Sequence, residues 1–75
     1  MKTISIDEVY KELGQRIVAA RKAKNMSQER LATDSGIDRS HMGFIEQGRR
    51  KPTLSTLVKI TKALGISLER LFRGL

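Results

Sequence analysis

The residues best suited to binding chemistry lie between positions 38 and 51, in the stretch DRSHMGFIEQGRRK. If this stretch is helical, successive side chains are about 100° apart, so Met42 and Ile45 share one side, with Glu46 at its edge. The opposite side then carries hydrogen-bonding, cationic and aromatic groups without an acid. Its members are Arg39 in the first turn, Ser40, Phe44 and Gln47, with Gly43 at the border.

This mixture of groups suits the base edges of a DNA major groove. Arginine hydrogen-bonds guanine, serine and glutamine donate or accept, and an apolar side chain packs on the thymine methyl group. For Phe44 the residues leave two interpretations open. The ring either contacts a base or rests, partly buried, on a neighbouring helix.

Three consecutive cations, Arg49, Arg50 and Lys51, follow this segment directly. Such a cluster is often only a solvated loop, but beside a groove-reading helix it is expected to bind phosphates. Gln28 opens the preceding segment, where its amide and the free N–H groups of a helix start can also meet a phosphate.

The composition favours a polyanionic partner. Fifteen Lys and Arg against eight Asp and Glu give a net charge of +7, which suits nucleic acid or an anionic membrane surface and also suits a merely solvated surface. The chain has no cysteine and one histidine, so we predict no metal site, no cofactor and no thiol chemistry. No apolar run approaches the roughly 18 residues of a membrane span, and MKTISIDEVY lacks a signal-peptide core. A soluble cytoplasmic protein is therefore predicted.

Helix boundaries can be read from repeated start and stop signals. Four capping residues are each preceded by an apolar or proline residue and followed four positions later by another apolar one: Ser27, Asp38, Thr53 and Ser67. Four glycines stand where helices would end: Gly36, Gly48, Gly65 and Gly74. The pattern predicts an all-α chain with helices near residues 7–24, 28–35, 39–47, 54–64 and 68–73.

The short connection SGID at 35–38 joins the second and third predicted helices. Gly36 supplies the positive φ of a sharp turn, and Ile37 would anchor that turn in the core. The two helices are therefore expected to form a helix-turn-helix. An ordinary helical hairpin without a ligand fits the same signals.

Several segments carry a family resemblance in their order and spacing: MSQERLA, GIDRS, IEQGRRKP and LVKITKALGISLERL. Over residues 13–71 the sequence resembles the phage-repressor-type (Xre-like) helix-turn-helix family. Within that family it is most similar to the small controller proteins of restriction–modification systems. The resemblance implies a compact five-helix, lambda-repressor-like domain that binds a palindromic operator in double-stranded DNA as a homodimer and regulates transcription.

The resemblance also implies roles for individual residues. Gln28 would contact phosphate and brace the third helix, and His41 stands where controller proteins often have tyrosine. Base-reading positions correspond to Arg39, Ser40 and Phe44, and backbone-contacting positions to Gln47, Arg49 and Lys51. A structural ion pair would join Arg21 of the first helix to Glu46.

One domain is expected over residues 1–75, with an N-terminal extension at 1–6 and a terminal helix and tail at 68–75. The apolar residues left for a two-fold contact near that end are Leu68, Phe72 and Leu75. An alternative function is an antitoxin or another protein-interaction module of the same fold, using these terminal segments. An enzyme is disfavoured because His41 has no second catalytic group, and a membrane-surface role because the cations are not gathered on one amphipathic face.

Overall fold

The computed structural model describes residues 5–75. Within them the chain forms five helices: α1 (Ile6–Ala23), α2 (Gln28–Ser35), α3 (Arg39–Glu46), α4 (Leu54–Leu64) and α5 (Leu68–Phe72). No strand occurs in this part of the chain, which confirms the predicted all-α class. The predicted ends of three helices are one residue too long: α1 ends at Ala23, α3 at Glu46 and α5 at Phe72.

The four predicted caps are confirmed. Each of their side-chain oxygens accepts a hydrogen bond from a backbone N–H in the first turn of α2, α3, α4 or α5. The four glycines all have positive φ, as expected for helix ends. A fifth cap was missed, because Ser5 forms a full capping box with Glu8 at the start of α1. Ser5 and Ile6 therefore belong to the start of α1, and the other residues of the predicted 1–6 extension lie outside the described range.

The helices enclose a core of ten buried apolar residues: Leu13, Ile17, Leu31, Ala32, Met42, Ile45, Leu57, Ile60, Leu64 and Leu71. Every helix contributes at least one of them, so each amphipathic stripe is buried against the others. In a chain this small the core is thin, and a single close approach between helices has a large effect on the whole arrangement.

The backbones of α1 and of the end of α3 approach each other closely at two glycines. A Cβ added at Gly14 would be 2.4 Å from the Glu46 carbonyl oxygen and 2.6 Å from that of Ile45. One at Gly48 would be 2.7 Å from Cα of Lys11, and Gly48 also has a φ of 75°. The two glycines therefore let the end of α3 rest directly on the α1 backbone, which fixes where α3 lies.

The turn between α2 and α3 has the geometry expected of a helix-turn-helix. Gly36 is left-handed at φ 68°, and the Ile37 N–H donates to the Ala32 carbonyl at 3.0 Å, which satisfies an end carbonyl of α2. Ile37 is half-buried against the core, as predicted. Asp38 then begins α3 by accepting from the Ser40 N–H at 2.9 Å and the His41 N–H at 3.3 Å.

Candidate nucleic-acid interface

The two sides of α3 have different environments. Met42, Ile45 and Glu46 are buried and form what we call the inner face. Solvent-exposed or half-buried side chains form the outer face: Arg39, Ser40, Phe44 and Gln47. His41 is half-buried between them. Because Glu46 is buried, the outer face carries no exposed acid from Arg39 to Gln47, and the helical projection from the sequence is reproduced.

The inner face is held by a polar network centred on Glu46. Arg21 Nε donates to Glu46 Oε2 at 2.8 Å, and Arg21 Nη2 donates to Glu46 Oε1 at 3.1 Å. The Arg21 side chain is only 13% exposed and that of Glu46 only 4%. The third Arg21 nitrogen, Nη1, donates to the Met26 carbonyl at 2.9 Å. The ion pair implied by the resemblance is thus present, and it joins α1 to α3 with bidentate geometry.

Gln28 completes this network and explains the position of Gly43. Its Nε2 donates to Glu46 Oε1 at 2.9 Å, so the side chain lies across α3. Gly43 differs from the expectation that it borders the DNA-facing side, because it is buried. A Cβ at Gly43 would be 3.3 Å from Gln28 Oε1. The Gln28 side chain therefore covers Gly43 and separates it from solvent.

The Phe44 ring is half-buried, and two arginines of the loop that follows α3 lie close to it. The guanidinium carbon of Arg49 is 5.1 Å from the ring centroid, and that of Arg50 is 5.8 Å away. Both distances are within the range of about 6 Å for cation–π contacts. In the sequence, a phenylalanine followed five and six positions later by arginines does not by itself predict these contacts. They depend on the turn at Gly48.

The remaining cation of the loop, Lys51, leans back towards α1. Its Nζ lies 3.3 Å from Asp7 Oδ1 and 5.8 Å from the Tyr10 ring centroid. The Lys51 side chain is still 55% exposed and that of Asp7 is 85% exposed. An exposed pair of this kind is weak and easily exchanged for another anion. Gln47 accepts from Arg49 Nη1 at 3.3 Å, so it too has a local partner.

The apolar residues expected at a two-fold contact all lie at the C-terminal end of the fold. Leu68, Phe72 and Leu75 are half-buried and pack against the core, which leaves part of each side chain accessible. The sequence interpretation did not single out Leu54, which is 66% exposed at the start of α4. Among residues 5–75, no helix is long and apolar enough to cross a membrane.

The fold and this surface define a class of protein. It is a small helix-turn-helix protein with a cationic surface around α3, the second helix of the motif. The family comparison agrees, because residues 17–71 match the helix-turn-helix family model HTH_3. The chain belongs to this helix-turn-helix family, and its similarity to phage repressors and controller proteins agrees with the Xre-like resemblance in the sequence.

Relatives of this chain include two controllers and a phage repressor. It is 38% identical over 64 residues to control protein C.SmaI of Serratia marcescens, a match covering 85% of this chain and 76% of that protein. It is 42% identical to the restriction-modification controller protein C.AhdI from Aeromonas hydrophila, whose crystal structure superposes with a TM-score of 0.82 over 87% of this chain and 97% of that one. The immunity repressor protein of Bacillus phage phi105 is 43% identical over 56 residues, which are 75% of this chain and 39% of the repressor.

Proposed function

We propose that this protein is a sequence-specific double-stranded DNA-binding transcription regulator that controls restriction–modification genes. The observation that carries this proposal is the outer face of α3, which has no exposed acid and is followed directly by Arg49, Arg50 and Lys51. The names of its relatives support the same function, since two are controller proteins and one is a repressor. Binding to operator DNA would place the protein in the bacterial cytoplasm, where it acts as a regulator rather than an enzyme.

We assign roles according to what each side chain can reach. Arg39 and Ser40 are exposed at the start of α3 and would read base edges. Gln47 and the three loop cations would contact the backbone, and His41 would approach a phosphate beside the groove. Gln28 would hold α3 by its contact with Glu46 and contribute to phosphate binding from the start of α2. Gly43 would act by giving Gln28 the space to do so.

A homodimer would place two copies of α3 on one face of the DNA. A single short helix reads only a few base pairs, and helix-turn-helix proteins gain affinity by binding half-sites about 34 Å apart. The partly accessible apolar residues at the C-terminal end, Leu68, Phe72 and Leu75, would form the two-fold contact. The operator would then be palindromic.

Selection of binding sites from random DNA tests the proposal. The expected product is a palindrome with half-sites one helical turn apart, and failure to enrich any site would contradict the function. Purification of a stable complex with another protein, without DNA enrichment, would instead favour the antitoxin or interaction-module alternative.

Arg39→Ala tests the assignment of the base-reading residue. We expect it to relax base preference at a single position in each half-site and to cost about 1–3 kcal/mol there, because one arginine–guanine contact is lost. Arg30→Ala is the matched control, since Arg30 is exposed on α2 and pairs locally with Asp34 at 2.9 Å. A uniform loss across all DNA sequences would make Arg39 a phosphate contact instead.

A further inference from the structure

Phe44 is the one aromatic side chain on the outer face, and its ring is already in contact with two cations. The guanidinium carbons of Arg49 and Arg50 are 5.1 Å and 5.8 Å from its centroid. The negative face of an aromatic ring attracts guanidinium groups, and Arg makes such contacts more often than Lys. A ring engaged in this way is less available to a thymine methyl group.

The backbone of Phe44 holds the same two arginines. Its carbonyl oxygen accepts from the Arg49 N–H at 2.9 Å and from the Arg50 N–H at 3.3 Å. The left-handed conformation of Gly48 turns the chain so that both donors point back at the end of α3. One residue therefore fixes both the backbone and the side-chain positions of the two arginines.

Holding two neighbouring guanidinium groups in place costs free energy, and the aromatic ring offsets part of that cost. Like charges repel, and a long side chain that meets a phosphate loses rotamer freedom on binding. A ring that attracts both groups in the free protein reduces that loss. We propose that Phe44 is a positioning residue, which holds Arg49 and Arg50 ready to bind DNA phosphates, and that it does not read a base. This inference rests on the proposed function.

Phe44→Leu and Phe44→Tyr separate the two roles, because leucine keeps an apolar group without a π face and tyrosine keeps the ring. With about a threefold effect per cation–π contact, Phe44→Leu should weaken binding about tenfold per subunit. The loss should be equal on all operator variants, while Phe44→Tyr should bind within about twofold of the wild type. In operators with single thymine-to-uracil replacements, which lack the methyl group, the change in affinity at each position should be the same for the wild type and for Phe44→Leu. A Phe44→Leu loss confined to one thymine, and matched by uracil at that position, would overturn the inference.

Removing the arginines provides a second test. In a protein that already carries Arg49→Ala and Arg50→Ala, Phe44→Leu should cause almost no further loss of affinity, because the ring acts through those side chains. A full tenfold loss in that background would show that Phe44 contacts DNA itself and would overturn the inference.

A measurement on the free protein distinguishes failure of this inference from failure of the proposed function. The Arg49 and Arg50 Nε–H proton resonances should show ring-current shifts in the wild type and in Phe44→Tyr, and lose them in Phe44→Leu. If site selection yields no operator, the proposed function fails whatever the resonances show. If an operator is found but Phe44→Leu leaves the resonances unchanged, only the positioning role fails.

Discussion

Charged groups have opposite environments on the inner face of α3 and in the loop that follows this helix. On the inner face, the carboxylate of Glu46 accepts three hydrogen bonds from Arg21 and Gln28 and is almost completely buried. In the loop, Lys51 forms an exposed ion pair with Asp7 at 3.3 Å. Buried charges whose partners are removed are costly, whereas exposed pairs contribute little. The inner contacts therefore fix where α3 lies, whereas the exposed pair in the loop contributes little to holding it.

Gly14→Ala should have the largest effect on this arrangement. The new Cβ would approach a backbone oxygen at 2.4 Å, and no rotamer change can relieve a clash between two backbones. We expect the free energy of unfolding to fall by about 3 kcal/mol or more, measured by urea denaturation. Gln15→Ala, at the exposed neighbouring position, should change it by less than about 0.5 kcal/mol. Equal stability of the two variants would show that α3 does not need its close approach to α1.

Glu46→Ala should rank second. It leaves the mostly buried Arg21 guanidinium and the Gln28 amide without their partner, and we expect a loss of about 2–3 kcal/mol in the free energy of unfolding. DNA affinity should also fall, because α3 loses its link to α1. The exposed carboxylate provides the contrast: Asp7→Ala should cost less than about 1 kcal/mol. Similar losses in the free energy of unfolding for Glu46→Ala and Asp7→Ala would show that the buried and exposed contacts do not differ in strength.

Lys51→Ala should have the smallest effect on stability and a specific effect on binding. Because the ion pair between Lys51 and Asp7 is exposed, the free energy of unfolding should change by less than about 0.5 kcal/mol. In titrations at several salt concentrations, the slope of log affinity against log salt should flatten by about one phosphate contact per subunit. Lys62→Ala, a charge-matched change on α4, should leave the slope unchanged. If both variants gave the wild-type slope, Lys51 would not be a phosphate ligand.

Helix boundaries and the two sides of α3 could be predicted because they depend on neighbours in the chain. Ser27, Asp38, Thr53 and Ser67 cap N–H groups only a few residues away, and Gly36 and Gly65 end helices by their own backbone conformation. The division between Met42 and Ser40 follows from helical periodicity alone. The cap at Ser5 was missed, although it was predictable from the sequence because Glu8 stands three residues later.

Contacts between distant segments could not be predicted by the same means. Nothing in the local sequence shows that Gly14 must admit the α3 backbone, or that Gln28 covers Gly43. The stacking of Arg49 and Arg50 on Phe44 needs the turn at Gly48, which itself rests on Lys11. The Arg21–Glu46 pair was available only through the family resemblance, since its members are 25 positions apart.

Local signals specify the five helices and the side chains that α3 turns outward, because capping and periodicity act over one or two helical turns, and the cationic character follows from composition. How those side chains are held depends on contacts between the packed helices. Packing at Gly14 and Gly48 sets the position of α3, the buried carboxylate of Glu46 locks it, and the ring of Phe44 gathers the loop arginines. These contacts join residues that meet only after the helices have packed.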